Sequence, residues 1–166
     1  MSHILVIGYG NTLRQDDGVG YRAAELLQQH YHDDPDVEVI ASHQLTPEMA
    51  QDIAQNDFVL FLDASSVEEP GKISQTHILP ELCEVGFTHQ LIPAALLSLA
   101  KQLYGKAPEA ISITLAGWSF KLRDKLSRRA EMLLPVLVHQ AKELVERHRQ
   151  TSPSKAGLAG SPELVK

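Results

Sequence analysis

Two uninterrupted apolar runs, Ile4-Leu5-Val6-Ile7 and Phe58-Val59-Leu60-Phe61-Leu62, constrain this chain more than any other feature. Both are far too short for a membrane span or a signal-peptide core. Neither shows the alternation of a half-solvated strand, so each reads as a strand covered on both faces. Between them Val19, Ala23, Leu26 and Leu27 recur at i, i+4, i+7 and i+8, which predicts a helix running to about Tyr31. Asp33-Asp34-Pro35-Asp36 breaks the chain before a second strand, Val37-Glu38-Val39-Ile40, and Thr46-Pro47-Glu48 reads as a cap and first turn of a short helix to about Gln55. A more exposed strand is expected over 72–79. Pro93 opens a helix closed by Gly105, Ile111 to Ala116 form a last strand, and an amphipathic helix runs from about Ser127 to Arg149, with Pro135 marking a kink or a later start. Strands alternating with helices predict the α/β class: a three-layer sandwich with a mostly parallel, twisted five-stranded sheet flanked by helices. Residues 1–150 are expected to form one domain, and 151–166, rich in Ser, Pro and Gly, a disordered tail or a cloning remnant.

Composition narrows the chemistry. Of 166 residues one is cysteine, Cys83, so neither an internal disulfide nor a multi-thiolate metal site can be built from one chain. Its ordinary reading is a small buried hydrophobe. The formal charge of −6 argues against a nucleic-acid partner, and the absence of a long apolar segment argues against a membrane one, so a cytoplasmic location is expected. The ligand pool that remains is 8 histidines and 21 acids.

Ligands of open α/β sheets bind beyond the carboxyl ends of the strands, where strand order reverses. Three loops qualify: Gly8 to Gly18, Asp63 and the residues after it, and the stretches around Thr88-His89-Gln90 and Trp118-Ser119. Gly8-Tyr9-Gly10-Asn11-Thr12-Leu13 begins like a dinucleotide fingerprint but has Leu13 at the third glycine position, and its helix starts too late to cradle a pyrophosphate. Asp16-Asp17 reads either as an acidic cap of the next helix or as a ligand pair. Asp63 reads either as a turn residue or as a functional acid at a strand end, and His89 either as a loop bystander or as a ligand. His43 follows the second strand and could also reach the cleft, whereas His3, His30, His32, His77, His139 and His148 fall on expected surfaces or element ends. Two carboxylates and an imidazole from separate loops suit a borderline divalent cation such as nickel or zinc. There is no His-Glu-x-x-His helix and no Gly-x-Ser-x-Gly elbow.

The run from Ile4 through Gly8-Tyr9-Gly10-Asn11 to Asp16-Asp17-Gly18-Val19-Gly20 resembles the N-terminal signature of the hydrogenase maturation endopeptidases, which process the large subunit of nickel–iron hydrogenases. Phe58 to Ala64, Thr88-His89-Gln90-Leu91, Leu103-Tyr104-Gly105 with Pro108, and Gly117-Trp118-Ser119-Phe120 look like its later segments, so the resemblance covers about residues 3–148. It implies an endopeptidase that removes the C-terminal extension of the hydrogenase large-subunit precursor after nickel insertion, with Asp17, Asp63 and His89 as metal-recognising and catalytic residues. The nickel would come with the precursor, no organic cofactor is implied, and a monomer suffices. Gly8, Gly10, Asn11, Gly18, His43 and Gln44 would form the substrate-facing loops. Two departures stand out. Asp17 stands where relatives often carry glutamate as the first ligand, and Ser42-His43-Gln44-Leu45-Thr46-Pro47 stands where some relatives carry an aspartate and a glycine-rich turn.

Whether the metal would polarise the scissile bond, or only position the substrate while Asp16 or Asp17 acts as base, is open at this point. Two rivals share the pattern: a phosphoacceptor receiver domain, with acids after strands one and three and Lys121 near the last strand, and a non-catalytic assembly chaperone on the same fold.

Overall fold

A computed structural model describes residues 2–82 and 90–151. Its five strands are β1 (Ile4–Tyr9), β2 (Val37–Ser42), β3 (Phe58–Ser65), β4 (Ile73–Ile78) and β5 (Glu109–Ala116). The helices are α1 (Val19–His30), α2 (Met49–Ala54), α3 (Pro93–Tyr104) and α4 (Arg128–Thr151). The strands form one sheet in the order β2-β1-β3-β5-β4, parallel except for β4, which runs antiparallel along β5.

The apolar runs behave as their lack of alternation requires. In β1, Ile4 and Val6 enter a core with α1 and α4, and Leu5 and Ile7 enter a second core with α2 and α3. Phe58, Leu60 and Leu62 of β3 join the first core, Val59 and Phe61 the second. The expected three-layer sandwich is present. Its mixed edge suits the composition of β4: the strand carries Gln75, Thr76 and His77 exposed in its middle, which an antiparallel edge strand tolerates and a central parallel one does not.

Some local expectations shift. The short second helix starts at Met49, because Thr46 and Pro47 use their carbonyls as acceptors for Met49 and Ala50 in a turn instead of capping. Pro135 lies inside α4, so no late start occurs. His148 lies at an element end, the last turn of α4, and is part-buried there: it stacks on Phe58 with ring centroids 3.6 Å apart and its Nδ1 lies 2.8 Å from the Leu144 carbonyl. The Arg149–Asp34 ion pair fastens the end of α4 to the turn before β2.

The chain leaves β1 for the β2 side and returns across it to build β3, so strand order reverses between β1 and β3. The crevice beyond the ends of these two strands is the ligand position that this topology favours.

Candidate active site at the switch point

The loop after β1 folds back on itself, and glycine makes that possible. Gly10 has φ +147°, and a Cβ there would lie 1.9 Å from the Asp17 carbonyl oxygen. At the start of α1, a Cβ on Gly20 would lie 2.2 Å from the Leu62 carbonyl oxygen, so the helix enters directly against the end of β3. A 3-10 turn over Gln15–Gly18 connects loop and helix.

That turn separates the two adjacent aspartates. Asp16 is fully buried. Its carboxylate accepts hydrogen bonds from the backbone N–H groups of Trp118 (2.8 Å), Ser119 (3.1 Å) and Ser127 (2.8 Å), and from the Ser127 hydroxyl (2.8 Å). Asp17 is half-buried in the wall of a cavity of about 370 Å³, and its Oδ2 accepts from the Asn11 N–H at 2.9 Å. Neither caps α1, whose N-cap is Gly18 without a side-chain hydrogen bond, so the cap reading of the pair does not hold.

Asp63 lies in β3, in register with Thr114 of β5, and its Oδ1 accepts from the next backbone N–H, Ala64, at 2.7 Å. It is a strand residue and not a turn residue. Burial pushes its carboxyl up to about 6; hydrogen bonds from the Tyr9 hydroxyl and the Ala64 N–H oppose that rise, and the charge of Asp17 adds to it. Burial, then Asp63 and Asp17, hold the Tyr9 phenol far above its ordinary value, so it remains protonated and donates to Asp63. The cavity is lined by Asn11, Arg14, Asp17, Ala64, Ser66, Gln90 and Phe120.

The structure therefore brings Asp17 and Asp63 into electrostatic contact, with Asn11 beside them. Gly8, Gly10 and Gly18 are buried in the frame behind. His43 and Gln44 are exposed on the loop after β2, where His43 stacks on Tyr21 with centroids 5.0 Å apart. His89, Thr88 and Cys83 lie outside the described residues, as does the tail from 152 onward. Among the described residues no three His, Cys, Asp or Glu side chains gather as a metal site. Sequence reasoning did not single out Tyr9, Arg14, Ser66 or Phe120. Tyr9 carried a usable signal, a hydroxyl at the last position of an otherwise apolar strand.

Removing the Tyr9 hydroxyl deletes the donor that holds Asp63 down. Tyr9→Phe is expected to raise the Asp63 carboxyl above its present value of about 6 by roughly one unit, as read by an NMR titration of the side-chain carboxyl. An unshifted titration would show that Tyr9 does not control this acid.

Acids offered at the switch point of a 2-1-3-5-4 sheet define an α/β protein with a polar, charge-bearing crevice. The antiparallel edge also separates it from receiver domains, whose parallel order is 2-1-3-4-5. Comparison with known proteins takes this further. The Hydrogenase 2 maturation protease of Escherichia coli (strain K12) is 32% identical over 115 residues, which span 66% of this chain and 70% of that protein. The chain belongs to the hydrogenase maturation protease family and is a hydrolase of the protease class. The NiFe hydrogenase maturation protease HycI from Thermococcus kodakarensis KOD1 superposes with a TM-score of 0.70 at 26% identity, covering 87% of this chain and 93% of its own. The hydrogenase maturating endopeptidase HybD from E. coli gives a TM-score of 0.70 at 24% identity over 88% and 93% of the two chains, a likeness of fold. No protein-family model matches the chain. Among the described residues no helix is long and apolar enough to cross a membrane.

Proposed function

We propose that this chain removes the C-terminal extension of a nickel–iron hydrogenase large-subunit precursor in the cytoplasm, acting as a monomer once nickel is in place. It would recognise the precursor's metal through Asp17, Asp63 and His89. The observation that carries this reading is the electrostatic coupling of two carboxylates at neighbouring strand ends, Asp17 in the cavity wall and Asp63 next in sequence to the lining residue Ala64. Asp63 there is pushed up to about 6 by burial and, further, by Asp17. The Arg14 guanidinium lines the same cavity, and a cation brought by the precursor would add positive charge at the two acids. The two carboxylates are hard oxygen donors and the His89 imidazole is the donor that suits a borderline divalent ion, so softer thiolate ligands would come from the precursor.

When bound, the precursor's metal supplies Lewis acidity beside the scissile bond. The chain's own groups have separate tasks. The Asn11 N–H orients Asp17, and the Tyr9 hydroxyl and the Ala64 N–H orient Asp63. The Asp16 carboxylate is engaged by four donors at the base of the 118–127 loop, so a carboxylate acting on water is Asp17 or Asp63. Asp16 is thus a positioning residue.

The test uses purified protein with nickel-loaded and nickel-free precursor and a mass measurement of the products. The expected result is release of the C-terminal peptide from the loaded precursor alone. Equal release from both would remove the metal-reading half of the proposal, and release from neither would remove the proteolytic half.

A further inference from the structure

A second cavity, of about 400 Å³, lies across the wall formed by the 3-10 turn and the loop between β5 and α4. The wall is built from paired backbone. Arg14 and Arg123 form a parallel bridge, the Gln15 N–H donates to the Arg123 carbonyl (3.0 Å), and the Asp16 N–H donates to the Ser119 carbonyl (3.0 Å). Side chains along it alternate between the two cavities. Arg14, Asp17 and Phe120 face the acidic site, whereas Gln15, Ser119 and Lys121 face the second cavity. Gln15 is buried with φ +44°, a left-handed conformation uncommon for a residue with a Cβ, and its side chain is held by the Ser119 hydroxyl.

The second cavity is strongly basic. Lys121, Arg123, Lys125 and Arg128 line it and all are exposed. Among the described residues none of the four forms an ion pair, although Glu131 also contributes to the lining. A chain of formal charge −6 thus gathers four unpaired cations around one concavity, three on a loop that Asp16 holds in shape and Arg128 at the start of α4. Grouped like charges cost the fold repulsion energy and gain it no internal partner. Unpaired cations on a fixed frame suit an anionic ligand from outside.

We infer that this cavity docks an acidic, carboxylate-bearing segment of the polypeptide whose scissile bond occupies the neighbouring Asp17/Asp63 site. The inference rests on the protease reading above. The wall is one pair of chain segments thick, and an extended peptide rising about 3.3–3.6 Å per residue crosses it in a few residues. The acidic balance of the whole chain disfavours a nucleic-acid occupant, whose phosphates need a wider basic footprint. The cations attract acidic side chains over the wall, and the Gln15 amide and Ser119 hydroxyl offer neutral polar contacts at its base. Exposed Leu122, between Lys121 and Arg123, offers an apolar one.

The test compares the wild type with the triple variant K121E/R123E/K125E, whose folding is verified by circular dichroism. The probes are a fluorescein-labelled peptide of alternating Glu and Ser, its Gln/Ser counterpart, and a single-stranded oligonucleotide of similar length. The wild type is expected to bind the Glu peptide, with affinity falling about tenfold or more between about 50 and about 300 mM salt. The Gln peptide and the triple variant should show no such binding. In precursor cleavage the triple variant should raise KM by about tenfold with kcat unchanged. Equal binding of Glu and Gln peptides, an unaffected triple variant, an unchanged KM, or tighter binding of the oligonucleotide would each overturn the inference. A wild type that binds the Glu peptide but releases nothing from any precursor would instead overturn the protease reading and leave the acid-binding cavity standing.

Discussion

Asp16→Ala is expected to destabilise the protein by about 3–5 kcal/mol and to lower its melting temperature by roughly 10 °C. The size of the effect follows from what the carboxylate holds. Three backbone N–H groups, of Trp118, Ser119 and Ser127, and the Ser127 hydroxyl all point at one side chain that is inaccessible to water. Truncation leaves these donors without an acceptor, and each buried orphan costs about 1–3 kcal/mol before water or relaxation recovers part of it. The damage extends into α4, because the Ser127 hydroxyl also accepts from the Ala130 N–H at 3.3 Å in the helix's first turn. That helix supplies Leu137, Leu144 and Val145 to the core beneath the sheet. Asp16→Asn keeps the shape but turns an NH₂ group toward donors, so it should recover only part of the loss. A thermal melt of Asp16→Ala that matches wild type, combined with abolished cleavage, would contradict this account and return Asp16 to the candidates for the base.

How far the site was legible in the sequence depends on whether the information was local. The central strands were legible, since Ile4 to Ile7 and Phe58 to Leu62 cannot be solvated on either face. They also place the loop after β1 and Asp63 at neighbouring strand ends. The division of labour within Asp16-Asp17 was not. A 3-10 turn rotates successive residues by about 120°, so one acid points into the protein and the next toward the cavity, and composition cannot say which. Tyr9 was missed for a similar reason. Its hydroxyl matters only because β3 delivers Asp63 beside it, a contact between residues far apart in the chain. The antiparallel placement of β4 is likewise a property of the whole sheet. His148 falls at an element end as expected, but the pairing of its ring with Phe58 on β3 joins residues far apart in the chain and was not legible locally.

Asp63→Asn should do two opposite things: reduce precursor cleavage by at least about a hundredfold and make the metal-free protein more stable at neutral pH. The sign of the second effect follows from the direction of the shift. The folded protein holds the Asp63 proton more tightly than the unfolded chain, about 6 against an ordinary 3.8, chiefly because burial penalises the charge. The stability linked to this proton is fully present below about pH 4, where both states are protonated. It is lost as pH rises through about 6, where the folded state must carry a buried carboxylate beside Asp17. A shift of about two units corresponds to about 3 kcal/mol, so the asparagine variant should gain on the order of 2–3 kcal/mol at pH 7 and almost nothing at pH 4. Urea denaturation of both proteins across that range measures the difference directly. A gain that does not depend on pH, or a loss at pH 7, would show that Asp63 carries no stored penalty. A cation at the site would reverse the balance, because it would favour the ionised acid that burial disfavours. On the proposed function, the same burial that weakens the protein at neutral pH would make Asp63 responsive to a precursor that brings a metal.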